Sequence, residues 1–439
     1  MGAGKSTAAR ELGGFDTDDL VESAAGKPIA EIFSEGGEAA FRALEEQTIV
    51  LALGGGAVTS PAVRDALGDT LTIWLDVDVD TCWERVRGSD RPLAQDEAAF
   101  RRLYEERRAL YADVADVVAT DVHDVVLAAA GIHVERGALQ RLGELVPGAG
   151  PVALVSDPQV AGIHGMDAQL ALGTRLAETH ELPPGEEAKT LAAVDRLWQD
   201  FRLDRSGTIV ALGGGCTTDA AGLAAAAFLR GVAWTAVPTS LVAQVDAAIG
   251  GKTAIDLPQG KNLVGAFHWP ARTVIDPALL ETLPEPQRLE GMAEVVKTGL
   301  LAGEPFWELT DDELVRRCAA FKAAICLRDP FERGERAILN LGHTFAHALE
   351  AAAGYEGVTH GRAVALGLLA ALRLSGRPTN VVEEVLGPKP VKVDREQAWA
   401  ALHRDKKTGL VLLGDDGPRW NVQLPPDDVR RALDELIAR

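Results

Sequence analysis

Three of the chain's nine histidines, His343, His347 and His360, fall within eighteen residues of one another in NLGHTFAHALEAAAGYEGVTHG (Asn340 to Gly361). His343 and His347 stand four apart, so on a helix they leave the same face one turn apart. Imidazole is the commonest protein ligand for zinc-like metals, and its unperturbed pKa is the only side-chain value near neutrality. The spacing points to a metal site with a histidine base beside it; the alternative is a set of helix-surface histidines with no shared task. Upstream, GMAEVVK places Glu294 and Lys297 about one helical turn apart. A carboxylate with two histidines, and one coordination position left open, is a recurring catalytic zinc set.

Two other stretches suit phosphate. The chain opens MGAGKST, the core of a phosphate-binding loop. In such a loop backbone N–H groups and the following helix N-terminus cradle phosphate oxygens, Lys5 reaches the terminal phosphates and Ser6 can ligate Mg²⁺. The first glycine of the full pattern, and the strand before it, would lie ahead of Met1, so the expectation is a true start further upstream. Farther on, IVALGGGCTTDAAGLAAAAFLRG reads strand, glycine turn, helix, with backbone free to approach a pyrophosphate. The next segment carries Asp246, Lys252, Lys261 and Asn262 among small residues, and lysines beside glycine pairs suit an anionic substrate.

The elements that must hold these groups read as α/β, α/β, then mostly α. Residues 1–125 alternate short apolar runs with charged helical stretches, and LTIWLDV (71–77) predicts a buried strand. From Gly131 the pattern restarts: PVALVSD and TIVALGGG each predict a parallel strand running into a loop. Beyond Pro284 strands become scarce, and AEVVKTGLLAG, ELVRRCAAFKAAICLRD and RAVALGLLAALRLSG carry helical periodicity. ALGGG occurs at 52–56 and 211–215, but the flanks differ, so no internal repeat is inferred.

At 439 residues the chain exceeds what one core supports. A net charge of −21 argues against general binding to nucleic acid or anionic membrane, so any phosphate must be held by locally placed Lys and Arg. Cys82, Cys216, Cys318 and Cys326 form no C-x-x-C, which leads us to expect reduced thiols in the cytoplasm. No apolar stretch is long enough to cross a bilayer, and no signal-peptide layout is present.

GAGKST, DTD, IFSEGGEAAFRALE, LGGGAV, RPL and R-x-x-L-Y together resemble shikimate kinase over nearly its whole length. The resemblance implies that Gly4, Lys5, Ser6 and Thr7 serve ATP-Mg²⁺, with Asp16 helping to hold the metal. It implies that Asp18, Arg42, Gly55, Gly56 and Arg107 bind the shikimate diol and carboxylate, and that Arg91 is a lid arginine closing on the phosphates. Phosphoryl transfer needs chiefly positioning and charge neutralisation, which this set supplies. The spacing AARELGGFDTD is several residues shorter than the family's, so the alternative to a start further upstream is a degraded kinase.

Residues 131–439 resemble 3-dehydroquinate synthase through PPGEEAK, GGGCTTDAAG, FLRG, VPTSLVAQVDAAIGGKT, GKNLVGAFHWP, GMAEVVK, RAILNLGHTFAHALE, HGRAVALG and HRDKK, in the family's order. The implied NAD contacts are Asp157, Glu186, Lys189, Gly214, Gly215, Asp219, Thr239, Ser240 and Lys261. The implied metal ligands, for Zn²⁺ or Co²⁺, are Glu294, His343 and His360. His347 corresponds to a proton-handling histidine near the substrate phosphate. Lys252, Asn262, Arg336 and one of Lys406 or Lys407 would bind that phosphate; Lys297, Lys322 and Asn340 would hold the carboxylate and ring hydroxyls, with Asp246 in the catalytic set. Arg230 would reach a neighbouring subunit's site, since the family is commonly dimeric.

The fold so implied is a P-loop kinase domain (1–125), a Rossmann-like NAD-binding domain (131–283) and a mostly helical metal- and substrate-binding domain (284–439). The implied activities are cyclisation of 3-deoxy-arabino-heptulosonate 7-phosphate to 3-dehydroquinate, and ATP-dependent phosphorylation of shikimate. Three alternatives stand beside them: a sibling sugar-phosphate cyclase, a metal-dependent alcohol dehydrogenase, and a kinase half that only binds. His343→Ala should lose metal, whereas His347→Ala should keep it and lose turnover. Metal analysis of the two purified variants checks this, and metal loss in both would remove the distinction.

Overall fold

The computed structural model describes residues 2–14, 16, 52–89, 91–354, 357–405 and 409–438. Asp18, Arg42, Lys406 and Lys407 lie outside these. The chain forms two compact units, Met1–Ala130 and Gly131–Arg439. Among the described residues no helix is long and apolar enough to cross a membrane.

In the first unit, helix α1 (Lys5–Glu11) follows Gly4, whose φ of 101° is a conformation that a side chain would resist. Strands β1 (Ile73–Leu75) and β2 (Val117–Ala119) pair in parallel, and a single parallel bridge joins Asp16 to Ala52. The strand expected over 71–77 is therefore shorter and less buried than its apolar run suggests. Only Leu75 within it is buried, and Leu71 is 55% exposed. Helix α2 (Glu97–Val114) begins where the Asp96 side chain accepts the Ala99 N–H at 2.7 Å, and it buries Phe100 and Arg107.

The second unit contains a six-stranded sheet built from β3 (Ile132–Val134), β4 (Val152–Ser156), β5 (Leu176–Glu181), β6 (Thr208–Gly213), β7 (Ala233–Pro238) and β10 (Arg272–Ile275). Their order is β3-β10-β7-β6-β4-β5, every neighbouring pair parallel. Each residue of β4 and β6 is buried, as continuous apolar runs demand of a sheet covered on both faces. Alternation divides them: Ala153, Val155, Ile209 and Ala211 enter one core with Val194, Leu197 and Ala224. Val152, Leu154, Val210 and Leu212 enter another with Leu139, Leu142 and Leu172. The chain leaves β4 toward β5 on one side and returns with β6 on the other. That reversal opens a crevice at the strands' carboxyl ends. Between β7 and β10 an antiparallel hairpin, β8 (Lys252–Leu257) and β9 (Gly260–Phe267), projects over it.

Helix α3 (Gly215–Ala227) follows β6. The helical half contains α4 (Glu285–Ala302), α5 (Asp311–Arg328), α6 (His343–Ala352), α7 (His360–Leu374) and α8 (Arg395–Asp405). Val296, Ile325, Phe345, Leu349, Leu366 and Leu402 share its core. A late hairpin, β11 (Leu410–Gly414) and β12 (Gly417–Val422), interrupts the helices.

Glycines set how closely these helices cross. A Cβ on Gly367 of α7 would stand 2.0 Å from the Gly342 carbonyl oxygen at the start of α6. One on Gly361 would stand 2.5 Å from the Glu290 backbone of α4. The Glu290 side chain also accepts the Gly361 N–H at 2.6 Å and the Thr359 hydroxyl at 2.5 Å, so a carboxylate from α4 caps α7. Gly367→Ala should cost about 1–3 kcal/mol by overpacking. Urea unfolding of the whole chain measures it, and an unchanged midpoint would show that the crossing has slack.

Candidate active site

The helix starts converge on one carboxylate. Glu294, in the middle of α4, has no solvent exposure. His343 is the first residue of α6 and His360 the first of α7. Their Nε2 atoms lie 3.4 Å and 3.5 Å from Glu294 Oε1. Donor atoms of the three residues all fall within 4.8 Å of one another. Lys297, one turn along α4, pairs with the same carboxylate, yet neither Glu294 oxygen accepts a well-formed hydrogen bond. A buried carboxylate left short of partners, facing two imidazole nitrogens, fits a divalent cation.

The field around the cluster agrees. Burial opposes the Glu294 charge, but Lys297 and then His343 hold its carboxyl well below the usual range. Burial, then the neighbouring Lys297 charge, lowers the His343 pKa and favours the neutral imidazole that a metal requires. Burial also opposes the His360 cation. The Glu294 and Glu350 carboxylates that face it prevail and lift it to about 10. Two carboxylates thus draw positive charge to this point. The His343 Nδ1 sits 3.3 Å from the Leu341 carbonyl oxygen, which turns Nε2 inward. His347 stands outside the cluster, its ring edge-on to His343 at 5.6 Å between centroids and its surface open to the cleft.

A second group lies beside it. Lys322 pairs with Asp246 Oδ1 at 2.9 Å and donates to the Asp246 carbonyl at 2.8 Å. Lys297 reaches Asp246 Oδ1 at 3.4 Å. These ammoniums outweigh burial and bring the Asp246 carboxyl down to about 2. Lys252 pairs with Glu332 at 2.5 Å, and Asn340 donates to the same carboxylate at 3.1 Å. Burial lowers the Lys252 pKa. Arg336 is 1% exposed, donating to the carbonyls of Gly250 and Pro330 at 2.9 Å each.

The third group occupies the sheet crevice. Asp157, just past β4, caps the next turn through the Gln159 and Val160 N–H groups. Gly214 and Gly215 open α3, and a Cβ on Gly214 would approach the Ser240 hydroxyl to 3.4 Å. That hydroxyl is buried without a partner. A bare helix N-terminus at a topological switch point, with an orphan hydroxyl beside it, fits a pyrophosphate. Thr239 is buried next to it. Lys189 pairs with Asp219 at 2.7 Å and also donates to the Asn262 side-chain oxygen. Lys261 pairs with Glu186 at 2.8 Å. Burial pushes the Cys216 thiol up to about 12, which keeps it protonated at neutral pH.

All three groups line one cleft of about 1330 Å³. Arg230 does not line it. It is exposed at a turn, with φ of 69°. Asn262, expected among the phosphate ligands, lines the cleft, and its side-chain oxygen accepts from Lys189. Glu332, Glu350 and Glu290 were not singled out from sequence. Glu350 was within reach, lying seven residues after His343 on the same helix face. Glu332 sits in a loop, where no periodicity marks it.

In the first unit the Ser6 hydroxyl donates to Asp16, and Thr7 lies in the first turn of α1. Lys5, Gly55 and Arg107 line a cleft of about 700 Å³. Arg107 donates to the Gly55 carbonyl at 3.2 Å, and the Tyr111 hydroxyl donates to the same oxygen. Gly56 is buried beside them. Arg91 is exposed at the start of a short turn and is not among the described residues lining that cleft.

A six-stranded parallel sheet sharing one cleft with a helical half places the second unit in a class of two-part α/β nucleotide-type folds that solved enzymes share. The solved 2-deoxy-scyllo-inosose synthase complexed with carbaglucose-6-phosphate, NAD⁺ and Co²⁺ matches with a TM-score of 0.62 and 27% identity, over 69% of this chain and 96% of that one. The iron-containing alcohol dehydrogenase of Thermotoga maritima shares the fold alone, with a TM-score of 0.51 and 15% identity over 70% of this chain and 97% of that one. Residues 179–290 and 291–408 match the N-terminal and C-terminal models of 3-dehydroquinate synthase, and residues 1–132 match shikimate kinase. The 3-dehydroquinate synthase of Bordetella pertussis is 38% identical over 69% of this chain and 95% of its own length. That of Symbiobacterium thermophilum is 40% identical over 68% and 92%. The chain belongs to the 3-dehydroquinate synthase family, fused to a shikimate kinase family segment.

Asp246→Asn should destabilise the protein by about 3 kcal/mol, because two buried ammoniums lose their shared counter-ion. The Asp246 pKa lies below its unfolded value, so this contribution is complete above about pH 4 and fades as pH falls through about 2. Unfolding free energies of wild type and variant should therefore converge on acidification. A constant gap would overturn the assignment.

Proposed function

We propose that this chain is a bifunctional shikimate-pathway enzyme. Its second unit converts 3-deoxy-arabino-heptulosonate 7-phosphate to 3-dehydroquinate with release of phosphate, and its first unit phosphorylates shikimate with ATP-Mg²⁺. The observation that carries the reading is the Glu294–His343–His360 cluster opening into the same cleft as the sheet crevice and the cations Lys252, Lys297, Lys322 and Arg336.

Glu294, His343 and His360 hold a divalent metal, and Asp157, Glu186, Lys189, Gly214, Gly215, Asp219, Thr239, Ser240 and Lys261 hold NAD. When bound, the metal polarises the substrate's secondary hydroxyl and NAD takes and returns its hydride. Lys252 and Arg336, with Asn262 and one of Lys406 or Lys407, hold the substrate phosphate against the acidity of the whole chain. Lys297, Lys322 and Asn340 orient the carboxylate and hydroxyls, and Asp246 fixes both lysine ammoniums so that they need not reorganise during the reaction. His347, on the open side of the cluster, moves a proton near the phosphate. The three-dimensional support for the kinase half is the Ser6–Asp16 contact behind a left-handed Gly4, with Arg107 beside Gly55. Lys5, Gly4 and Thr7 hold ATP there, Ser6 and Asp16 its magnesium, and Asp18, Arg42, Gly55, Gly56 and Arg107 shikimate. Arg91 swings in from its exposed turn.

The second unit works as a homodimer in this reading. Leu263, Val264, Phe267 and Phe331 are 42–56% exposed, and Phe267 stacks edge-on against Phe331. Arg230, outside its own cleft, serves the neighbouring subunit.

Lys252→Met should lower phosphate release at least about 100-fold, the scale of losing one aligned charge, while leaving shikimate phosphorylation intact. Lys5→Met should do the reverse. Heptulosonate 7-phosphate and a hexose 6-phosphate assayed side by side test the substrate: turnover of the hexose phosphate alone would establish a sibling cyclase. Absence of shikimate phosphorylation by the wild-type chain would sink the kinase half.

A further inference from the structure

The two histidines of the cluster are held from behind in different ways. His343 is 12% exposed and rests its Nδ1 on a backbone carbonyl. His360 is 41% exposed and is the first residue of its helix, with Nδ1 facing Glu350 Oε1 at 3.4 Å. Glu350 is 3% exposed, a charge that needs a reason to be buried. It sits two turns along α6 from His343, on the face turned toward α7. It is not one of the converging donors: those are the Nε2 atoms and Glu294, whereas Glu350 lies behind the His360 ring. Lys261 stands 3.9 Å from Glu350 and 2.8 Å from Glu186, so the buried carboxylate also has a cation from the β9 strand.

We propose that Glu350 is a positioning residue for the metal: it accepts the Nδ1–H of His360, fixes the tautomer that presents Nε2, and adds negative charge behind that ligand. A carboxylate behind a ligating imidazole raises its basicity and orients its ring. His360 needs this more than His343 does, because a helix-start side chain open to solvent has rotamers to lose. The inference rests on the metal-binding reading above.

The test titrates metal-free full-length protein with Co²⁺, read by the visible absorption of the bound ion and by competition with a chromophoric chelator. Glu350→Gln keeps an acceptor but removes the charge, and should weaken Co²⁺ about 10-fold; Glu350→Ala removes both and should approach 100-fold. Both should shift the Co²⁺ bands, and Glu350→Asp should restore affinity and spectrum part of the way. Thermal unfolding of the metal-free proteins checks folding; if the alanine variant shows no cooperative transition, the isosteric glutamine variant decides. Wild-type affinity and spectrum in Glu350→Gln, with metal lost in His343→Ala, would overturn the role of Glu350 alone. Wild-type metal binding by His343→Ala would overturn the metal site itself, and this inference with it.

Discussion

Glu294 is an ionised carboxylate held away from water in the centre of a helix, and much of the second unit is arranged to answer that charge. Burying such a group costs several kcal/mol unless partners replace its hydration. Lys297 provides one partner from the same helix. The remaining demand is met by two imidazoles that arrive at the starts of separate helices, α6 and α7. Neither could come so close if Gly342, Gly361 and Gly367 carried side chains. Close helix crossing, the cap that Glu290 places on α7, and the convergence of donors are thus one structural fact viewed at three scales.

The cleft solves a second electrostatic problem. The chain is strongly acidic, which repels anions at long range, yet its cleft gathers Lys252, Lys297, Lys322 and Arg336. At separations shorter than the screening length, local charge governs. These cations do not float: Asp246 braces Lys297 and Lys322, Glu332 braces Lys252, and backbone carbonyls brace Arg336. Prior bracing costs some attraction for an anion, but it removes reorganisation at the moment of reaction.

The sheet explains why the Glu294–His343–His360 cluster and the crevice at the strands' carboxyl ends share one cavity. Strand order reverses between β4 and β6, so the loops after them diverge and leave backbone amides uncovered at the carboxyl edge. The helical half packs against that same edge, and the β8–β9 hairpin closes a third side with Lys252, Lys261 and Asn262. Under the proposed function, the sheet side would hold the hydride acceptor and the helical side the substrate hydroxyl.

Much of this was legible in the sequence. Continuous apolar runs announced β4 and β6, helical periodicity announced α4 to α7, residue type with spacing marked Glu294 and the group His343, His347 and His360, and the family resemblance implied which of these are the ligands. Those are local properties, set by backbone sterics and by the period of side chains along one element. The sequence pattern overstated the strand at 71–77, because an apolar run cannot report which of its residues a neighbour covers. It left Glu332 and Glu290 unmarked, and it could not show that Lys189 engages the Asn262 side-chain oxygen. Nor could spacing alone show that His360, and not His347, completes the cluster. Which nitrogen meets which carboxylate depends on helix crossings set by contacts dozens of residues apart in the chain. One-dimensional pattern determined the kinds of group this protein carries, and only long-range packing decided which of them meet.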